Sequence, residues 1–213
     1  MRSRSGPASV ILAILAAIIL AAPAAAASPW MTFKQAGTSA FASTSECTEN
    51  TDGTVTCEGR SIDVFAGTIR QSGEPTRKGE QACYSEFSET FDPNTGEGDS
   101  RSLFGCTFDA GTLTIDNLTS ITLAPTVIEL TEFVCDSMSC TESPAGSTTI
   151  DGTWTGVGPT ATQRGKFTFD DGTCVQVNAD KGRFRQASFD GSIEAVDASI
   201  GVGSFTFRTS CTF

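Results

Sequence analysis

The chain has 213 residues, of which 25 are acidic and 14 basic, with eight cysteines and no histidine. The absence of histidine removes the commonest general base, the serine and cysteine triads that depend on it and most zinc-hydrolase sites. A net charge of −11 repels phosphate backbones, and no basic face large enough to reverse that field is expected, so nucleic acid is not an expected partner.

Arg2 and Arg4, the apolar stretch from Ala8 to Ala22, and then Pro23 with its run of alanines follow the positive, apolar and small-residue order of a secretory signal. The stretch falls short of the roughly 20 residues that a spanning helix needs. Ala24 with Ala26, or Ala25 with Ala27, place the expected cut before Ala27 or before Ser28. Residues 1–26 are therefore expected to be a signal peptide, and 27–213 a single secreted domain with no membrane span. Losing Arg2 and Arg4 with the leader leaves 12 basic residues against 25 acidic ones, a net charge of −13.

Beyond the leader, Phe33 to Ser43 fits no single period. Ser61 to Ile69 alternates Ile62, Val64 and Ala66 with polar neighbours, which reads as a half-buried strand. Thr112 to Ile115 and Ser120 to Leu123 read as short strands. Gly165 to Asp170, Thr173 to Ala179 and Ser204 to Phe213 alternate through Phe167 and Phe169, Val175 and Val177, and Phe205 and Phe207. Turn chemistry punctuates the series at Asp52-Gly53, Asp92 to Gly96, Asp109-Ala110-Gly111, Asp151-Gly152, Asp171-Gly172 and Asp190-Gly191. No dozen-residue stretch carries a helical period. The expected fold is all-β, an antiparallel meander forming a β-sandwich or a partly closed β-barrel stapled by disulfides. Thr107 to Thr112 resembles Thr168 to Thr173, which raises two related halves, 28–142 and 143–213, although any strand that ends in Phe and turns through Asp-x-Gly looks alike.

An even set of cysteines in an exported chain reads as disulfides, here four: Cys47, Cys57, Cys83, Cys106, Cys135, Cys140, Cys174 and Cys211. No Cys-x-x-Cys pair points to a metal. Asp52-Gly53 lies midway between Cys47 and Cys57, and a hairpin folded about Asn94 and Thr95 brings Cys83 opposite Cys106. A local Cys135 to Cys140 bridge leaves Cys174 for Cys211. That last pair conflicts with parity if Val175, Val177, Phe205 and Phe207 all face the core.

Candidate sites are few. Glu86, Glu89, Asp92, Glu97 and Asp99 form the densest acidic group, the raw material of a glycosidase acid pair, but they fall on and beside a surface turn. Asp92 to Asp99 offers oxygen ligands in an irregular, non-EF-hand order. Lys181, Arg183 and Arg185 share one strand face, where pairing with acidic neighbours is expected and an anionic ligand is the alternative. Gly152-Thr153-Trp154 resembles the Gly-x-Trp opening of lipocalins, but only 59 residues follow it, too few for the remaining barrel strands. Trp154 is expected in the core or as a barrel-end plug. Asn117-Leu118-Thr119 fits an N-glycosylation acceptor.

No residue is assigned as catalytic, metal-binding or cofactor-binding, and no cofactor is expected. The leading functional expectation is a non-enzymatic extracellular or envelope-associated binding or structural module whose partner is an extracellular protein or glycan. A secreted protease inhibitor using the Cys135–Cys140 loop comes second, and a carbohydrate-active enzyme with an acid pair third.

Overall fold

The computed structural model describes residues 30–108, 112–136, 139–170 and 174–211. The expected leader, the Asp109-Ala110-Gly111 and Asp171-Gly172 turns, and with them the comparison of the two similar segments, lie outside the described residues. Ten strands follow one another, and no helix occurs among the described residues. They are β1 (Met31–Glu49), β2 (Val55–Gln71), β3 (Arg77–Phe91), β4 (Gly98–Phe108), β5 (Leu113–Asp116), β6 (Ser120–Cys135), β7 (Cys140–Gly156), β8 (Ala161–Asp170), β9 (Cys174–Gly191) and β10 (Asp197–Cys211).

All of them join one antiparallel sheet in the order β10-β1-β2-β3-β4-β6-β7-β9-β8, with β5 added beside β6. The sheet curls into a ring because β9 changes partner along its length. Ala187 to Gly191 pair with β7, while Cys174 to Gln186 pair with β10. Closure is confined to one level. Below it β4 has ended at Phe108 and β7 has left β9, so β8, β9, β10, β1, β2 and β3 run on as an open six-stranded sheet. The fold is thus a partly ring-closed antiparallel meander that stops short of a barrel.

The core fills the inside of the closed level. Ala40 and Ala42 of β1, Ile62 and Val64 of β2, Ala82 and Tyr84 of β3 and Ile200 of β10 alternate along their strands and meet by register on the inner face. Ile121, Leu123, Ile128, Ile150 and Trp154 complete it from β6 and β7. Trp154 is 0% exposed, with its ring 4.8 Å from that of Phe189 at 55°. The expectation of a core residue holds there.

Two bulges let β6 and β7 run far beyond the short strand read from Ser120 to Leu123. Ala124 and Pro125 oppose Asp151 alone, which switches the inward positions from Ile121 and Leu123 to Thr126, Ile128 and Leu130. Pro125 sits where the ladder is already broken, so its missing N–H leaves no strand bond unmade. Asp151-Gly152, read from the sequence as a turn, instead lies within β7. Gly152 and Gly191 are register partners, and the Phe189 ring occupies the space that a Cβ at either would need. The glycines serve aromatic packing here. Asp190 likewise pairs with Thr153 inside the ladder.

A second glycine set runs across the sheet. Gly182, Gly203, Gly37, Gly67 and Gly79 are successive register partners on the outer face of β9, β10, β1, β2 and β3. A Cβ on Gly37 would collide with the Ala66 carbonyl and lie 2.8 Å from the Phe65 ring. Removing five side chains from one row lets neighbouring backbones approach and the sheet curl, while Phe65 covers the exposed stripe.

The disulfides sit on directly opposed residues. Cys47–Cys57, Cys83–Cys106 and Cys135–Cys140 have Cα separations of 4.0, 4.1 and 4.1 Å, close to the roughly 4.5 Å of non-hydrogen-bonded antiparallel pairs. The first two are the pairings that turn symmetry predicts, and the third is the expected local bridge. Cys174 is disulfide-bonded as well, and its register partner across β9 and β10 is Cys211. The parity conflict dissolves because Phe205 and Phe207 do not face the core. They share the outer face with Cys174, while Val175 and Val177 lie on the inner one.

Candidate functional site

Following the inner face along each strand, out of the closed level and into the open sheet, changes its chemistry abruptly. On β1 it passes from Ala42 and Ala40 to exposed Ala36 and Lys34, and on β2 from Ile62 and Val64 to Thr68 and Arg70. On β10 it passes from Ile200 to Ser204, Thr206 and Arg208. β9 runs from Phe189 and Ala187, both packed on the core, to Arg185, Arg183 and Lys181. β8 then sets Arg164 opposite Lys181 and Lys166 opposite Ala179, and β3 sets Lys78 opposite Thr68.

Nine of the 12 basic residues beyond the expected leader therefore share the open part of one face. The acidic residues that register places among them are Glu80 and Asp170. Glu80 also accepts a hydrogen bond from the Leu113 amide. The acidic pairing expected for Lys181, Arg183 and Arg185 does not form: their β10 neighbours are Ser204, Val202 and Ile200, and their β8 neighbours are Arg164 and Thr162. The sequence premise that no sizeable basic face exists is corrected at the same time, because this face is assembled from six strands.

The three salt bridges among the described residues involve other cations. Arg60 pairs with Glu86 at 3.3 Å, Arg77 with Glu74 at 3.3 Å, and Arg101 with Glu132. Two members of the basic face are held in other ways. Arg185 donates from Nε to the Gly158 carbonyl at 2.8 Å, and the Arg208 guanidinium lies 4.8 Å from the centre of the Trp30 ring. Lys181, Arg183, Val202 and Ser204 line an open depression of about 500 Å³ together with Thr162, Gly182 and Gly203. The floor between the cations is made of small side chains.

The far end of the inner face has the opposite sign. Register places Glu46, Glu58, Glu86, Asp99 and Glu132 there, around Arg60 and Arg101. Glu86 is half-buried, bridged to Arg60 and hydrogen-bonded by the Tyr84 hydroxyl at 2.7 Å. Desolvation, reinforced by the Glu86 carboxylate, pushes the Tyr84 phenol well above its usual range. Glu89 lies three residues further along β3, on the other face, so these two carboxylates do not converge. Asp92 accepts hydrogen bonds from the Asn94 amide and its side chain, at 2.8 and 3.0 Å, within the β3–β4 turn. Glu97 and Asp99 follow that turn, and no cluster of potential metal ligands occurs among the described residues.

The remaining candidates are local. In the Cys135–Cys140 loop the Asp136 amide donates to the Ser139 carbonyl and the Ser139 amide to the Asp136 side chain, which fits a stapled hairpin end. Ser137 and Met138, the tip of that loop, lie outside the described residues. Asn117 holds a left-handed turn conformation between β5 and β6 with φ 50°, and Leu118 beside it is buried. On the outer face, burial pushes the half-buried Asp63 carboxyl up to about 7, against the lowering effect of the Ser61 hydroxyl.

Fold and site together define a disulfide-stapled, antiparallel β protein whose inner face is electrostatically divided, closed at the core and open at the basic end. Comparison with protein families, with characterised proteins and with solved structures finds no match, so the functional reading rests on this chain's own geometry.

Proposed function

We propose that this protein is exported and acts outside the cytoplasm as a non-enzymatic binding module, using the open end of its inner face to hold a partner. The observation that carries the reading is the basic face itself. In a chain with a net charge of −13 once the expected leader is lost, nine cations on one face, eight of them exposed and Arg185 half-buried, repel one another, and an anionic partner relieves that repulsion. The sheet supports the role by placing each cation on a hydrogen-bonded strand, so the backbone needs little ordering on binding. The carboxylate chemistry needed for the enzymatic alternative is split between the two faces at Glu86 and Glu89.

Incubating the purified mature protein with envelope and extracellular material from the producing cells tests the proposal. Retention without turnover, lost when the inner-face cations are reversed, is the expected result. Hydrolysis of a polysaccharide or peptide, abolished by Glu86→Gln with the fold intact, would replace the binding module with an enzyme.

A further inference from the structure

We propose that the open basic end of the inner face binds an extended acidic polysaccharide lying across the strands from β8 to β3. This rests on the binding-module reading above and adds to it the class of ligand and its path. The cations form rows that run perpendicular to the strands. One row, read through the register, passes from Arg164 and Lys181 over Ser204, Ala36 and Thr68 to Lys78. The next runs from Lys166 over Ala179 and Thr206 to Lys34 and Arg70.

At about 4.8 Å between strands, the first row crosses six strands over about 24 Å and the second five strands over about 19 Å, both far beyond the reach of a small anion. A polymer with repeating anionic groups meets a cation at each end of its path, with the Ser and Thr hydroxyls on the floor beneath it. Its own hydroxyls find donors and acceptors there. Trp30, fixed against Arg208, provides one aromatic surface beside the rows on which a sugar ring can stack.

Geometry favours this occupant over other anions. A bilayer is flat and cannot follow the inside of a curled sheet, and the exposed apolar side chains Phe167 and Phe169, 61% and 48% exposed, lie on the outer face. A single-stranded nucleic acid needs a series of stacking platforms. The aromatic row that would supply them, Phe167, Phe207 and Phe33, is also on the outer face.

Titrating the full mature chain with polygalacturonate and with dextran sulfate, followed by tryptophan fluorescence and calorimetry, tests the proposal. Neutral dextran, a single-stranded oligonucleotide and phosphatidylglycerol vesicles serve as comparisons. At least one acidic polysaccharide is expected to bind, more weakly as salt is raised. Affinity should fall about tenfold or more in Lys181→Glu/Arg183→Glu and in Lys34→Glu/Arg70→Glu, and stay unchanged in Arg77→Glu, whose side chain is on the outer face. Unfolding curves matching wild type confirm that the variants fold.

Failure of both polysaccharides at low salt, or binding indifferent to the two double variants, overturns the proposal. Tighter binding of the oligonucleotide or the vesicles overturns it too, as does self-association lost in the same variants while the polysaccharides stay silent. If envelope material is retained while both polysaccharides fail, the ligand class falls and the binding-module reading stands.

Discussion

Replacing Asp63 by asparagine tests how the middle of the sheet handles a charge. Asp63 lies on the outer face of β2, between Phe41 and Cys83 of the flanking strands, and desolvation moves its carboxyl from 3.8 to about 7. Between those values the folded chain holds a proton that the unfolded chain has released, so stability falls as pH rises from about 4 through 7. A shift of about 3 units corresponds to about 4 kcal/mol at pH 8, and relaxation around a half-buried group reduces the expected effect to on the order of 2 to 4 kcal/mol. The amide side chain keeps the shape and the Ser61 contact without the charge. Urea unfolding at pH 4, 6 and 8 is therefore expected to show Asp63→Asn more stable than wild type at pH 8, with the advantage shrinking to near zero at pH 4. A variant less stable at pH 8, or a difference that does not change with pH, would refute the reasoning.

Further expectations concern packing and staples. Gly67→Val puts a side chain where the Ala36 carbonyl and the Phe65 ring already lie, so thermal unfolding should show a loss of about 1 to 3 kcal/mol or more. Trp154→Ala empties the centre of the core and should cost about 3 to 5 kcal/mol. Trp154→Phe should cost distinctly less, because it also removes an indole N–H that has no hydrogen-bond partner. Converting Cys83 and Cys106 to Ser opens a 23-residue loop and should cost about 3 kcal/mol, against about 2 for the five-residue Cys135–Cys140 loop. Denaturant midpoints of the two double variants check that order.

The strand character of β2, β5, β8, β9 and β10 and three of the disulfides were legible because both depend on local signals, whereas Phe33 to Ser43, which lies within β1, fits no single period and Asp151-Gly152, which lies within β7, reads as a turn. The turn at Asp92 to Gly96 fixes the β3–β4 register, and with it Cys83 against Cys106. What the sequence concealed was the direction of the faces. In β9 and β10 the alternation of Phe with Lys or Arg reads as aromatic inside and cation outside, the usual arrangement of a half-buried strand. Registers carried from Trp154 through Phe189 to Arg185 and Ile200 show the reverse: the cation face is continuous with the core, and Phe205, Phe207 and Phe167 lie outside.

Parity within one strand cannot reveal this. It depends on which neighbours β9 takes, and those are set by long-range pairing. The basic face was hidden for the same reason, since Lys34, Arg70, Lys78 and Arg208 are isolated in sequence and adjacent only across the ladder. One local signal was available. Arg164 and Lys166 repeat the two-residue spacing of Lys181, Arg183 and Arg185 on the other side of the Asp171-Gly172 turn, as consecutive hairpin strands would.

The most direct test of the open inner face as the binding surface is an NMR titration that follows the arginine Nε–H signals as polygalacturonate oligomers are added. Arg70, Arg164, Arg183, Arg185 and Arg208 lie on the basic face, whereas Arg60 and Arg101 are bridged at the acidic end and Arg77 is on the outer face. The first five, with the Trp30 indole, should shift saturably while Arg60, Arg77 and Arg101 stay in place. Uniform movement of all eight, or shifts confined to Arg60, Arg77 and Arg101, would contradict the account.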